Sequence, residues 1–140
     1  MYQATQAIYS ALSRVDGYKP FTEDNDTFSE VWLKFALENG GSYRIRFIST
    51  NNSNGVKLRV FKLVSLQGDK RVRILPALNF LNNKYRFVKF VCDKDGDVNV
   101  IYDYPENTVN PAASAKEMTR RFVKIIDESY PVLMKAIYGD

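Results

Sequence analysis

The acidic run Asp93-Lys94-Asp95-Gly96-Asp97 is the segment whose residue types and spacing come closest to those of a metal-binding loop. A calcium-binding EF-hand loop needs glycine at its sixth position and a bidentate acid at its twelfth. Counting Asp93 as the first position places Val98 at the sixth and Tyr104 at the twelfth, so the register does not fit. The Asp-Gly pair predicts a tight hairpin turn instead. The sequence therefore predicts no metal and no cofactor.

Side chains that could perform catalysis are scarce. The chain has no histidine, which is the commonest general base near neutral pH. Cys92 has the strand parity of Val88 and Phe90, which is typical of a small core residue and not of a reactive thiol. Four acids lie in a segment rich in turn residues: Glu23, Asp24, Asp26 and Glu30. Acid–base catalysis needs two acids in a fixed geometry, so we expect no catalytic residues and no enzyme activity.

Basic residues are concentrated in the middle of the chain. There are 20 Lys+Arg and 16 Asp+Glu, and eleven of the basic residues but only one acid, Asp69, lie between Arg44 and Lys89. Where this region alternates as strands, several bases and aromatic residues fall opposite the apolar face. The candidate partner-binding residues are Trp32, Lys34, Arg44, Arg46, Lys57, Arg59, Phe61, Phe87 and Lys89.

Three interpretations of this basic and aromatic face are open. Lys and Arg commonly occupy solvated strand faces, where they discourage aggregation, and acidic segments of the same chain could neutralise them. Exposed aromatic residues also suit a protein or peptide partner. Alternatively, the face could hold a nucleic acid by phosphate pairing and base stacking. Of the two binding interpretations, we favour the protein or peptide partner.

The elements that must position this face begin with a helix and a meander. Residues 2–16 have apolar side chains at three-four spacing, which predicts an amphipathic helix ending near Gly17. Residues 19–30 are polar and predict an acidic surface loop. Residues 31–38, 42–50 and 56–66 alternate with a period of two. Because short turns at 39–41 and 51–55 join them, they predict three antiparallel strands.

The second half returns to helical and strand periods in turn. A short helix is predicted from about Leu75 to Asn82, because Pro76 is tolerated only in a first turn. Residues 87–93 and 97–104 predict a second hairpin. A long helix follows Asn110, and Pro131 within it predicts a kink or a break. The order α-β-β-β-α-β-β-α predicts an α+β fold of two layers, a twisted antiparallel five-stranded sheet with helices on one face.

Length and composition place the chain among single-domain globular proteins. A chain of 140 residues fits one domain, residues 1–140, and buries roughly 70% of its unfolded surface. No run approaches the length of an apolar membrane span, and the first residues lack the regions of a signal peptide. We therefore expect a cytoplasmic protein with no membrane association.

The segment from Leu78 to Tyr102 resembles a known family. Its residues read Leu78-Asn79-Phe80-Leu81-Asn82-Asn83-Lys84-Tyr85-Arg86-Phe87, then Val88-Lys89-Phe90-Val91, then Asp93-Lys94-Asp95-Gly96-Asp97-Val98. A helix ending in an Asn-x-x-Asn run, an aromatic-rich strand and an acidic Asp-Gly turn resemble the YbjN-like family of bacterial proteins. The resemblance implies the fold of type III secretion chaperones and a non-catalytic, partner-binding role. It implies no site residues, because the family has no catalytic motif.

Together these expectations describe a binding or regulatory module. We expect Trp32, Phe61 and Phe87 to capture a partner, while the bases of the same face select an acidic segment. We also expect a homodimer, for which the Met134–Tyr138 end of the last helix is apolar enough to form a contact. A nucleic-acid binder that uses the same face is the alternative.

Overall fold

Six strands and three α-helices make up the part of the chain that the structure describes. The structure is a computed structural model, and it describes residues 1–50 and 55–139. The elements in chain order are α1 (Gln3–Ser13), β1 (Phe21–Asp24), β2 (Ser29–Ala36), β3 (Ser42–Ser49), β4 (Lys57–Ser65), α2 (Lys70–Lys84), β5 (Lys89–Cys92), β6 (Asp97–Asp103) and α3 (Ala115–Tyr138), with a 3₁₀ turn at Pro111–Ser114 before α3. Of the predicted turn at 51–55, residues 51–54 lie outside the described part.

The strands form one antiparallel sheet in the order β1-β2-β3-β4-β6-β5. The α+β prediction is therefore confirmed, but the predicted number of five strands is wrong. The additional strand is β1, which pairs with β2 within the segment predicted to be a loop. All four of its residues are exposed, so β1 lacks the alternation of buried apolar residues from which a strand is predicted.

The turn between β1 and β2 depends on one asparagine. The Asn25 side-chain oxygen Oδ1 accepts hydrogen bonds from the backbone N–H groups of Thr27 (2.8 Å) and Phe28 (3.0 Å). This arrangement is the Asx turn that asparagine commonly forms. It reverses the chain tightly enough to bring Phe21 opposite Trp32.

Two helices continue through their prolines, so the predicted first-turn position of Pro76 and the predicted break at Pro131 are wrong. The other predicted outcome at Pro131, a kink, stays a prediction. Helix α2 runs from Lys70 to Lys84 with Pro76 inside it, and α3 runs from Ala115 to Tyr138 with Pro131 inside it. Proline costs an isolated helix about 3 kcal/mol. Burial of apolar side chains on both sides of each proline offsets that cost, as Ile74 and Leu78 do in α2.

The helices cover one face of the sheet and leave the other uncovered. Alternate strand residues such as Ile45 and Phe47 are fully buried, together with Ile8 of α1 and Phe122 of α3. The intervening strand residues form the second face, which we call the open face. In β4 the alternation is interrupted by a bulge between Val60 and Val64.

Candidate partner-binding face

A single row of side chains crosses the open face from edge to edge. Successive cross-strand pairs join residues of β1, β2, β3, β4, β6 and β5 in that order: Phe21, Trp32, Arg46, Arg59, Ile101 and Lys89. Residues paired directly across an antiparallel sheet lie on the same side of it. The register therefore places aromatic or basic side chains from five strands on the side of the sheet that the helices leave uncovered.

Aromatic and cationic groups stack at the β1 end of this row. The rings of Phe21 and Trp32 are stacked, with centroids 4.4 Å apart and planes 17° from parallel. The Arg44 guanidinium lies 4.0 Å from the centroid of the Trp32 ring. Lys34, which is exposed, is paired with Arg44 across β2 and β3. We call these four residues, Phe21, Trp32, Lys34 and Arg44, the Trp32 cluster.

Arg46, the next cation in the row, forms an ion pair. Its Nη1 donates to Glu30 Oε1 at 2.6 Å, and the Glu30 side chain is only 4% exposed. Arg46 is paired with Trp32 in the sheet, so Glu30 is its diagonal neighbour. The carboxylate compensates the guanidinium charge, so Arg46 offers an acidic partner little net attraction unless this pair breaks.

Arg59 also forms an ion pair, but with an acid that is largely exposed. Its Nη1 lies 2.8 Å from Asp103 Oδ1 and also donates to the backbone oxygens of Leu58 (2.8 Å) and Tyr102 (3.1 Å). Asp103 stands directly opposite Lys57 in the β4–β6 pairing. Asp103 is thus adjacent to two of the predicted binding bases, Lys57 and Arg59.

The remaining candidates are dispersed. Lys89 is on edge strand β5, three strands away from the Trp32 cluster. Phe61 is 47% exposed and lies in the β4 bulge, where the backbone N–H of Lys62 donates to Asn99 Oδ1 (2.9 Å). The structure therefore does not bring Phe61 or Lys89 into the Trp32 cluster.

Phe87 lies on the helical side and not on the open face. It precedes the first residue of β5, so the strand parity used to place it does not apply. Its ring contacts Tyr102 (centroids 5.6 Å apart) and Phe122 of α3 (6.3 Å), with the Arg121 guanidinium 5.5 Å from its centroid. The prediction that Phe87 shares a face with Trp32 is wrong.

Three further bases of the basic segment serve the fold. Lys70 Nζ donates to the backbone oxygen of Ile137 (3.2 Å), and Arg73 donates to that of Gly139 (2.6 Å). Cations are favourable at a helix C-terminus, where carbonyl groups lack helical partners. Arg71 donates to the backbone oxygen of Asp93 (3.2 Å). These three charges hold the start of α2 against the end of α3 and against the β5–β6 hairpin.

The acidic run at 93–97 is a hairpin turn, as predicted. Asp93 Oδ1 accepts the backbone N–H groups of Asp95 (2.9 Å) and Asp97 (3.1 Å), and Oδ2 accepts from Asn99. The bond from the Asp97 N–H is the main cause that lowers the pKa of the Asp93 carboxyl. Gly96 has φ of +84°, and a Cβ there would lie 2.3 Å from the Leu66 backbone oxygen.

Within residues 1–50 and 55–139, no group of three or more His, Cys, Asp or Glu side chains is placed to hold a metal ion. Among the helices of that same part, none combines the length and the apolar character needed to cross a membrane.

Sequence reasoning missed two members of the open face, Phe21 and Glu30. Both lie in residues 19–30, for which the sequence predicts a loop, although Glu30 shares the parity of Trp32. Only the β1–β2 register places Phe21 on Trp32. The signal available in the sequence was Asn25, a residue that commonly forms turns and that would pair residues 21–24 with 29–32 as a hairpin.

The architecture defines a class of protein: an α+β module in which helices cover one side of an antiparallel sheet and an aromatic and basic cluster lies on the other. The chain belongs to the YbjN family, because residues 10–134 match the family model, described as "Putative bacterial sensory transduction regulator". No curated protein and no solved structure matches the chain significantly.

Proposed function

We propose that this protein is a non-enzymatic regulatory module of the bacterial cytoplasm that binds an acidic segment of a partner protein through the Trp32 cluster. The observation that carries the proposal is the stack of Phe21, Trp32 and Arg44 on the open face. The family description as a sensory transduction regulator supports a regulatory role.

The chemistry of the Trp32 cluster supports recognition of an acidic and apolar peptide. A stacked Trp–Phe pair provides a rigid apolar platform, and such aromatic residues contribute much of the binding energy at interfaces. Arg44 is held over Trp32 by cation–π attraction, which limits its motion and so lowers the entropy lost on binding. Lys34 adds a second cation beside it. Arg46 and Arg59 contribute little, because Glu30 and Asp103 already compensate them.

The experiment compares two double variants against acidic peptides. K34E/R44E reverses both cations of the Trp32 cluster, and K94E/K116E reverses two exposed lysines outside it. A peptide array of acidic, aromatic-containing segments selects a ligand for the unmodified protein, and fluorescence anisotropy gives its Kd. We expect K34E/R44E to weaken binding at least 100-fold, because two charge-assisted contacts become repulsive, while the control pair changes it less than threefold. Equal effects of the two double variants would falsify the proposal.

Nucleic acid is the second candidate, favoured by the half-buried indole of Trp32 with an arginine stacked on it, an arrangement also used to bind single strands. Salt dependence separates the candidates. For single strands the slope of log K against log salt is about −0.7 per phosphate neutralised, so Lys34 and Arg44 alone predict about −1.4. A slope near −4 requires about six cations, which means all six predicted bases, including Arg46 and Arg59. Such a slope would therefore show that the ion pairs of these two arginines open. Homodimer formation stays a prediction, which sedimentation equilibrium measures directly.

A further inference from the structure

Helix α2 has apolar side chains on both of its sides. Ile74, Leu78 and Leu81 are buried and face the core. Val72 is 70% exposed, Leu75 54% and Phe80 55%. A surface helix of a globular protein normally has a polar outer side, and contiguous exposed apolar residues mark interaction sites.

The outer apolar residues adjoin a groove between α2 and α3. Val72, Pro76 and Phe80 are spaced by four residues, so they form one ridge along the helix. Beside this ridge lies a groove of about 500 Å³, lined by Pro76, Ala77 and Phe80 of α2 and by Val132 and Ala136 of α3. We call the ridge and this depression together the α2–α3 groove. Ala77 and Ala136 are small, so they leave space in the groove for the side chains of another helix or strand.

The charges that line the α2–α3 groove are all positive. Arg73 and Lys135 line it, and no acid does so among the described residues. Arg73 is held in place, because its Nη2 donates to the Gly139 backbone oxygen at 2.6 Å. Glu128 lies one turn before Val132 on α3, and its Oε1 already accepts a hydrogen bond from the Tyr85 hydroxyl (2.6 Å).

We propose that the α2–α3 groove binds an acidic amphipathic helix of a partner protein. The ridge from Val72 to Phe80 extends over about 12 Å at 1.5 Å per residue, which matches two turns of a helix that presents apolar side chains at i, i+4 and i+7. Acidic residues beside that stripe complement Arg73 and Lys135. A second copy of α2 is a poorer fit, because four cations but no acid lie within Lys70–Lys84.

This surface is independent of the one under Proposed function. The α2–α3 groove is in the helical layer, whereas the Trp32 cluster is on the open face of the sheet. The two surfaces therefore lie on opposite sides of the sheet and can be altered separately.

The experiment uses the full chain labelled with ¹⁵N and three synthetic peptides of about 18 residues, a length of five turns. The first peptide has leucine at i, i+4, i+7 and i+11 and glutamate at the positions that flank this leucine stripe. The second has the same composition in scrambled order, and the third has lysine in place of glutamate. Amide chemical shifts locate the binding site, and titration gives the Kd.

Two variants and two matched controls test the surface. F80S removes the exposed ring at the groove (55% exposed), and F61S removes a ring of similar exposure (47%) in the β4 bulge. K135E reverses a groove charge, and K116E reverses an exposed lysine outside the groove. Because all four positions are exposed or line an open groove, we expect native circular dichroism spectra from each.

We expect the first peptide to shift the amides of Ala77, Phe80, Val132 and Ala136 and to bind at least tenfold more tightly than either other peptide. F80S and K135E should each weaken it at least tenfold, as truncation at an interface centre does, while F61S and K116E leave it unchanged. Shifts confined to the open face, or equal Kd values for the three peptides, would overturn the proposal. A dimer detected by sedimentation and abolished by F80S would assign the groove to a second copy instead.

Discussion

The ion pair between Arg46 and Glu30 determines how much positive charge the open face presents, and its two partners should respond unequally to mutation. The Glu30 side chain is 4% exposed, whereas that of Arg46 is 24% exposed. R46M leaves a buried carboxylate without its partner, which costs about 3 to 5 kcal/mol. E30Q leaves a guanidinium that still reaches water and a neutral oxygen that still accepts its hydrogen bond, so its cost is about 1 to 2 kcal/mol.

Urea unfolding at pH 7 measures this asymmetry. With an m value of about 1.5 kcal/mol/M, R46M should lower the midpoint by roughly 2 to 3 M and E30Q by roughly 1 M. The double variant E30Q/R46M should be more stable than R46M alone, because it no longer contains a buried unpaired charge. If E30Q costs as much as R46M, or if the two costs simply add, the reasoning from burial is refuted. E30Q should also increase affinity for an acidic peptide, since it adds one uncompensated cation to the open face.

Five other substitutions test the fold around the candidate surfaces. G96A should cost about 3 kcal/mol or more, because a Cβ there adds a clash with backbone to the strain of positive φ, whereas G40A, with φ of +94° and nothing within 4 Å, should cost about 1 kcal/mol in urea unfolding. Y43F should be neutral or stabilising by about 1 kcal/mol, since the buried Tyr43 hydroxyl has no partner among the described residues. Y104F should be destabilising by about 1 to 2 kcal/mol, because the equally buried Tyr104 hydroxyl donates to a backbone oxygen at 3.1 Å. The lowered pKa of Asp93 stabilises the fold above the unfolded carboxyl pKa near 4, and that contribution is lost as pH falls through the folded value. The melting temperature of D93N should therefore change less than that of the unmodified protein between pH 7 and about 3.

Each comparison has a contradicting outcome. Equal costs for the two glycine variants would show that the β5–β6 hairpin can move away from Leu66 without loss of stability. Equal effects of the two tyrosine variants would mean that the Tyr43 hydroxyl has a partner in solution. A D93N profile parallel to that of the unmodified protein would remove Asp93 from the acid dependence.

The local sequence pattern correctly predicts most of the helices and strands. It fails for β1 and α2, whose extent depends on contacts with neighbouring elements. The alternation in residues 31–38 and 42–50 correctly predicts two paired strands, because each buries every second residue. Strand β1 has no such pattern, since it is an exposed edge and is stabilised by its partner. Helix α2 was predicted too short because the cost of Pro76 was judged locally, while Ile74 and Leu78 bury apolar surface on both sides of it.

The sequence by itself determined the α+β class, the family and the face on which Trp32, Lys34, Arg44, Arg46, Lys57 and Arg59 lie, because strand parity is a local property of the backbone. Only the tertiary structure decided which of those cations are compensated. Arg44 contacts Trp32, Arg46 contacts Glu30, and Arg59 contacts Asp103, each as a diagonal neighbour on an adjacent strand. A diagonal contact depends on the register of two strands, and register is set by the turn that joins them and by the packing of one sheet face against the helices.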